Sequence, residues 1–409
     1  MSPLHARARL GPEFSKLWPA SAVSNLGDGV TLAAGPLLIA SLTDDPALVG
    51  GAVFVQQLPW LLFALLSGVV VDRWDRRRLI VAVNVARAAV LAALAVAVAG
   101  HAATVLLVYV VFFLLGAGET LADSASAALL PSVVPPELLP RANGRLMAVF
   151  YAGNQFVAPP VGAWLFVSSA ALPFGFDAAT FAAAALLLGW LRPVAGPPRS
   201  RPVRRLLRAD LAEGVRWLWL HPALRMLTWC LTLMNVTFMT AFAAYVLYVR
   251  DRLGAGPVAF GALITAGAVG GLAGTLLAGR AEAALGVATL LRAGLVIETA
   301  THLVLAVTRS AWVAGMTMAL FGAHAAVWGV VAVSVRQRVV PDRLRGRVNS
   351  VYQLGSVGGA TVGALLGGLV ARHGGLAAPY WLAFAGMLLL TVVAWPRFTP
   401  AAFATPDAR

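Results

Sequence analysis

The chain has 409 residues, of which 60% are hydrophobic and only 12% charged, against about 25% charged in an ordinary soluble domain. So few charges cannot cover a water-facing surface, which excludes a soluble globular protein and implies a chain that crosses a membrane many times. The net charge of +14, from 31 Lys and Arg against 17 Asp and Glu, does not mark a nucleic-acid binder, because the arginines cluster in short stretches between apolar runs, where loop charges orient membrane proteins.

At roughly 20 residues per span, about twelve helices fit. The runs are continuously apolar, unlike the alternating strands of a membrane barrel. No apolar stretch precedes the first run, so helix 1 is expected to act as an uncleaved anchor. Helices 1 to 6 are predicted at residues 17–42, 48–71, 79–99, 103–130, 142–167 and 174–191. Helices 7 to 12 are predicted at residues 223–249, 258–278, 287–307, 312–335, 348–370 and 379–395. The lone Cys230 lies in helix 7, where a buried structural thiol is expected.

Between helices 2 and 3, six of the eleven residues from Gly68 to Arg78 are charged: Asp72, Arg73, Asp75, Arg76, Arg77 and Arg78. Such a cluster cannot lie in hydrocarbon, so it forms a short aqueous loop. With the N-terminus inside, the inner segments hold these arginines with Arg141, Arg145, Arg280, Arg336, Arg338, Arg343, Arg345 and Arg347. The outer loops hold only Arg250, Arg252, Arg309 and Arg372. The bias predicts both termini in the cytoplasm.

Residues 192–222 read as a linker. Pro193, Pro197, Pro198 and Pro202 stop a helix at its start. Leu206, Leu207, Leu211, Val215 and Leu218 then recur at helical spacing among Arg204, Arg205, Arg208 and Arg216. This predicts an amphipathic helix on the inner membrane surface.

The linker separates two related halves. Val133, Val134, Pro135, Leu138, Arg141 and Asn143 recur as Val339, Val340, Pro341, Leu344, Arg347 and Asn349, at one offset; Gly153 and Gly162 recur at the same offset as Gly359 and Gly368. Arg87 has a counterpart in Arg292, and Asn25 in Asn235. The expected fold is therefore all-α, with twelve transmembrane helices in two parallel-repeat halves: residues 1–191 and 223–409, joined by the linker. In such an arrangement the substrate site lies near the midplane.

The pattern Gly68-x-x-x-Asp72-Arg73-x-x-Arg76-Arg77 resembles the signature loop between helices 2 and 3 of the major facilitator superfamily. Ser24-Asn25-Leu26-Gly27-Asp28, Ala128-Leu129-Leu130-Pro131, Arg141-Ala142-Asn143 and Val340-Pro341-Asp342-Arg343-Leu344-Arg345-Gly346-Arg347 are similar to its enterobactin-exporter and macrolide-efflux branch. The resemblance implies a secondary transporter of a bacterial inner membrane, exporting small amphipathic compounds by alternating access with proton antiport. Two features depart from it. Gly116-Ala117-Gly118-Glu119 lacks the helix 4 arginine of many drug–proton antiporters, and the helix 5 antiporter motif survives only as Gly153, Ala158, Pro159 and Gly162. An uncoupled facilitator or importer, or a membrane sensor that does not transport, stays open beside the exporter. The resemblance also implies a conformational latch of Gly68, Asp72, Arg73, Arg76 and Arg77 with a helix 4 acid, here Asp123.

Asp28 lies roughly 16 Å into helix 1 at 1.5 Å per residue. A carboxyl group at that depth serves proton coupling or a substrate cation, or it is a structural carboxylate bonded between helices. Glu119 shares a face of helix 4 with Asp123 and is the second proton-coupling candidate, or a partner for Arg87. Asn25, Asn154, Gln155, Asn235, Tyr352 and Gln353, with Phe238, His324 and Trp328, are candidates to line an amphipathic substrate cavity, or else they join helices. Glu298 and His302 share a face of helix 9 and read as a local structural pair. Asp177 reads as interfacial, near the outer end of helix 6. The glycines of helices 8 and 11 make small-residue faces for close packing or sliding. No phosphate loop, metal cluster or nucleophile motif is present in the sequence. An enzyme, a cofactor and a resident metal are therefore not expected; the partners are a small molecule, protons and the bilayer, and the chain is expected to work as a monomer.

Overall fold

The computed structural model describes residues 10–191 and 204–403, apart from the side chains of residues 64–66, 68, 69, 72, 204–211 and 342. Among the described residues there are helices and turns and no strand. A helix satisfies its own backbone groups, which apolar surroundings demand. The helices are α1 (Phe14–Leu42), α2 (Pro46–Arg73), α3 (Arg76–Ala99), α4 (Val105–Val133), α5 (Leu139–Val149), α6 (Ala158–Ser168) and α7 (Leu172–Gly189). They continue as α8 (Arg204–Leu220), α9 (Pro222–Phe242), α10 (Tyr245–Leu247), α11 (Pro257–Val307), α12 (Ala311–Val339), α13 (Arg345–Gly374) and α14 (Ala378–Ala394).

Nine of the described helices are long and apolar enough to cross a membrane, and α9 with its continuation Tyr245–Arg252, bent by 46°, makes a tenth. Local backbone chemistry hides the others. α11 has 51 residues, about 76 Å of helix, more than twice the roughly 30 Å of a hydrocarbon core. It breaks at Gly286, where φ is 74° and ψ is 160°, a conformation that is essentially restricted to glycine. The expected helices 8 and 9 are its two arms. α5 and α6 have 11 residues each and are joined by a π turn over Phe150–Val157. Pro159 and Pro160 lack the N–H groups that a regular helix would use here, and the Ala158 N–H reaches back five residues to Gly153. Counted this way, the described residues are consistent with twelve spans.

The chain forms two compact units. One is Met1–Leu42 with Leu58–Arg201, and the other is Thr43–Gln57 with Pro202–Arg409. In the first, α1 packs closely on α6 and α7 because glycines stand at the contacts. A side chain at Gly162 would strike the Val30 carbonyl, and one at Gly29 the Asn154 carbonyl. In the second, Gly359, Gly363 and Gly367 of α13 lie against the carbonyls of Thr232, Val236 and Thr240 of α9. Leu186, Trp190, Trp312 and Leu389 are exposed apolar side chains, as a lipid-facing surface requires.

The repeat is visible in the backbone. The turn Pro136–Leu138 precedes α5 just as Asp342–Leu344 precedes α13, at the same sequence offset. The linker differs from expectation. Residues 192–203 lie outside the described part, while α8 packs on the start of α13 rather than only on a membrane surface. Gly214 abuts the Arg347 main chain, Glu213 pairs with Arg347, and Leu218 is buried.

Candidate functional site

The first unit gathers charge around one guanidinium. Arg87 stands eleven residues into α3, about 16 Å along it, and its side chain is only 8% exposed. Its Nη2 donates to Asp28 Oδ1 of α1 at 2.7 Å. The guanidinium lies 4.0 Å from the centre of the Phe181 ring, a favourable cation–π position. Its stem crosses Gly118, where a Cβ would come within 3.0 Å of Arg87 Cγ and Cδ.

Three further carboxyl groups lie within electrostatic reach of Arg87: Glu119 and Asp123 of α4 and Asp177 of α7. The Trp60 side chain lies beside Glu119. Asp177 is not interfacial as expected. It is 1% exposed, and it accepts from Thr31 Oγ1 at 2.6 Å and Thr180 Oγ1 at 3.1 Å. Gly27 makes room for it, since a Cβ there would strike Asp177 and Thr180. One guanidinium thus bonds Asp28 and lies within electrostatic reach of three more carboxyl groups.

The arginine loop is held to helix ends. Asp75 caps α3 by accepting from the Arg78 N–H at 2.7 Å. Arg76 donates to the Ala128 carbonyl at 2.9 Å. Arg77 donates to the last carbonyls of α7, at Leu188 and Gly189. The Leu188 carbonyl also accepts from the Leu191 N–H at 3.1 Å, and a cation at this end of the helix suits its dipole. Lys16 adds a bond to the Trp190 carbonyl at 3.0 Å. Arg73 is exposed. Among the described residues, no ion pair joins Asp123 to Arg73, Arg76 or Arg77. The side chains of Gly68 and Asp72, both counted in the expected latch, lie outside the described part.

The cavity candidates are placed as follows. Asn25 donates to the Ser21 carbonyl at 2.7 Å. Asn154 and Gln155 sit in the π turn, bonded to each other at 2.8 Å. Asn235 bonds back to Leu231 at 2.9 Å. Phe238 stacks between Phe242 and Phe321. Tyr352 is buried under the Arg336 guanidinium, 3.5 Å from its ring centre, and Gln353 is exposed. His324 and Trp328 are 6% and 4% exposed. Glu298 does not pair with His302 as expected; its Oε2 lies 3.2 Å from His324 Nε2.

Arg87 is the residue whose central place the sequence reading missed. The signal was present, because an arginine in the middle of an apolar helix must be paired, and its depth matches that of Asp28. Trp60 and Thr31 carried no comparable signal.

Residues 3–404 match the family profile described as transmembrane secretion effector. The enterobactin exporter of Shigella boydii is 26% identical over 93% of this chain and 92% of its own. The multidrug efflux pump Tap of Mycolicibacterium fortuitum is 27% identical over 92% and 93%. An uncharacterized transporter of Mycobacterium tuberculosis is 33% identical over 174 residues, only 39% of either chain. Among solved structures, a bacterial homologue of the iron transporter ferroportin superposes with a TM-score of 0.74 at 17% identity, over 94% of this chain and 98% of that one. A D-xylose–proton symporter superposes at 0.72 and 16%, over 96% and 99%. These two likenesses bear on the fold alone.

Proposed function

Because the chain belongs to the transmembrane secretion effector family, and so to the major facilitator transporters, we propose that it exports small amphipathic compounds in exchange for protons. The observation that carries the reading is the cluster around Arg87. A set of four carboxyl groups around one buried guanidinium, with Asp177 buried, Asp28 and Glu119 half-buried and Asp123 exposed, has more sites for protons than fixed positive charge to balance them. Such a set can take up a proton and give it back as the chain moves, which is what coupling needs. Relatives named as an enterobactin exporter and a multidrug efflux pump support export and a bulky, partly apolar cargo.

In the proposed cycle Asp28 or Glu119 binds a proton from outside. Its release inside resets the carrier, and the exporter works as a single chain. The protein sits in the cell membrane with both termini in the cytoplasm, as the arginine bias of the loops supports. The arginine loop and Asp123 act as a latch on conformation rather than as a cargo site.

Purified protein in liposomes tests this with a fluorescent lipophilic cation as cargo. An imposed pH gradient is expected to drive flux in the wild type, and Asp28→Asn or Glu119→Gln to reduce it at least tenfold. If both variants keep pH-driven exchange, the coupling assignment is wrong. Flux that ignores the gradient in the wild type would overturn proton exchange itself.

A further inference from the structure

Ionisable groups collect at a second buried place. In the second unit, Glu298 and His302 of α11 and His324 of α12 are 2%, 1% and 6% exposed. Among the described residues, Glu298 Oε1 and both ring nitrogens of His302 and of His324 make no hydrogen bond, and neither do Trp328 Nε1, Tyr245 OH and Tyr380 OH. A buried polar group left without a partner is costly. At membrane depth, ionisable groups of this kind mark ion or proton pathways.

Other uses of the cluster fit poorly. The cavity beside it, lined by His302, Phe238, Tyr245, Phe321 and Tyr380, holds about 10 Å³. That is room for about one water, where an organic ligand needs roughly 300–1,000 Å³. Among the described residues, no three His, Cys, Asp or Glu side chains are placed to hold a metal ion. The groups facing the pair are known from each neighbouring helix. His302 comes from α11 itself, Trp328 from α12, Cys230 from α9 and Tyr380 from α14. None of these supplies a fixed cation, and His324 is the nearest basic group to Glu298, its Nε2 3.2 Å from Glu298 Oε2.

We propose that Glu298, His324 and His302 form a proton-binding site of the second unit, separate from the acids around Arg87. Across the 3.2 Å contact, Glu298 Oε2 and His324 Nε2 share one proton, which leaves the pair neutral overall. Uptake takes that proton from water onto the carboxylate or the imidazole, release returns it to water, and no other bond changes. A second proton would leave a net positive charge buried with no counter-ion beside it, so the site holds one. Its part in a transport cycle rests on the proton-exchange reading above; its ability to bind a proton does not.

Infrared difference spectra of the full chain in lipid nanodiscs, without cargo, between acid and alkaline buffer test the site directly. Among the protonated-carboxyl bands of the wild type, one component is expected to be retained in the Asp28→Asn/Glu119→Gln double variant and lost in Glu298→Gln. A Glu298→Gln spectrum equal to wild type would overturn the proposal. Should Glu298→Gln fail to fold, nitrogen NMR of wild-type protein labelled at histidine decides. The His324 signal is expected to move with the same midpoint as the carboxyl band, and a signal flat across the range overturns the site. Loss of pH-driven flux in Asp28→Asn with an unchanged Glu298 band would leave both proposals standing. Unchanged flux in the double variant would remove the first and keep the second.

Discussion

Arg87 bonds Asp28 and lies within electrostatic reach of three more carboxyl groups, so the two sides of the cluster are unequal to mutation. Removing Asp28 leaves the guanidinium near Glu119, Asp123 and Asp177. Removing Arg87 leaves four carboxyl groups without a cation. Arg87→Gln is therefore expected to destabilise the protein by about 3–5 kcal/mol, the scale for a buried charge that loses its partner. Asp28→Asn is expected to cost about 1–2 kcal/mol. Denaturant unfolding in mixed micelles measures both, and equal losses would contradict the shared-cation picture. At this scale the sequence was partly legible. The depth of Asp28 and Glu119 followed from counting along a helix. The choice of Arg87's partner did not, because it depends on glycines at 27 and 118 that let α1, α4 and α7 close in on the guanidinium. The burial of Asp177 was hidden for the same reason, since its seat is made by Gly27 and Thr31 on a different helix.

Elements here are set by where backbone groups find partners. Gly286 holds φ 74° and ψ 160° and so joins two spans without a loop. Gly286→Ala is expected to cost about 1–3 kcal/mol for that backbone region alone. Gly144→Ala on the exposed face of α5, where a Cβ meets nothing within 4 Å, is expected to gain up to about 1 kcal/mol. The pair separates backbone strain from the general effect of adding a methyl group, and thermal melts in detergent read both. Arg77 acts at an element end, with its fork on the last two carbonyls of α7. Arg77→Ala is expected to lose about 1–2 kcal/mol, and Arg77→Lys to recover only part, since an ammonium cannot reproduce the fork. A lysine variant as stable as wild type would show that charge alone suffices. The spans themselves were legible as apolar runs. The π turn was not, because two prolines and a polar stretch leave the period of an apolar helix intact while changing its hydrogen bonds. The docking of α8 was hidden as well, since an amphipathic pattern does not say whether its apolar face meets lipid or α13.

Over the whole molecule, the repeat preserves the fold while letting the chemistry of its two copies diverge. Arg87 and Arg292 are counterparts by sequence position. Arg87 is buried on Asp28, whereas Arg292 is half-buried, bonds the Trp395 carbonyl at 3.1 Å and lies 5.1 Å from that ring. The second unit instead keeps its buried carboxyl at Glu298, two turns nearer the C-terminus than Arg292. A duplicated frame therefore predicts where helices run but not which copy holds the ionisable set, and that part of the site could not be read from the repeat. The difference gives a test in which position in the fold is matched and only surroundings vary. Arg292→Gln removes a hydrogen bond and a cation–π contact open to solvent or headgroups, so a loss of at most about 1 kcal/mol and near-normal dye flux are expected. Arg87→Gln at the equivalent position should lose several-fold more stability and most pH-driven flux, because it strips four carboxyl groups of their shared cation. If the two variants behave alike, the repeat is symmetric in energy as well as in shape. Proton coupling would then have to be sought in features common to both units rather than in the cluster that only the first one carries.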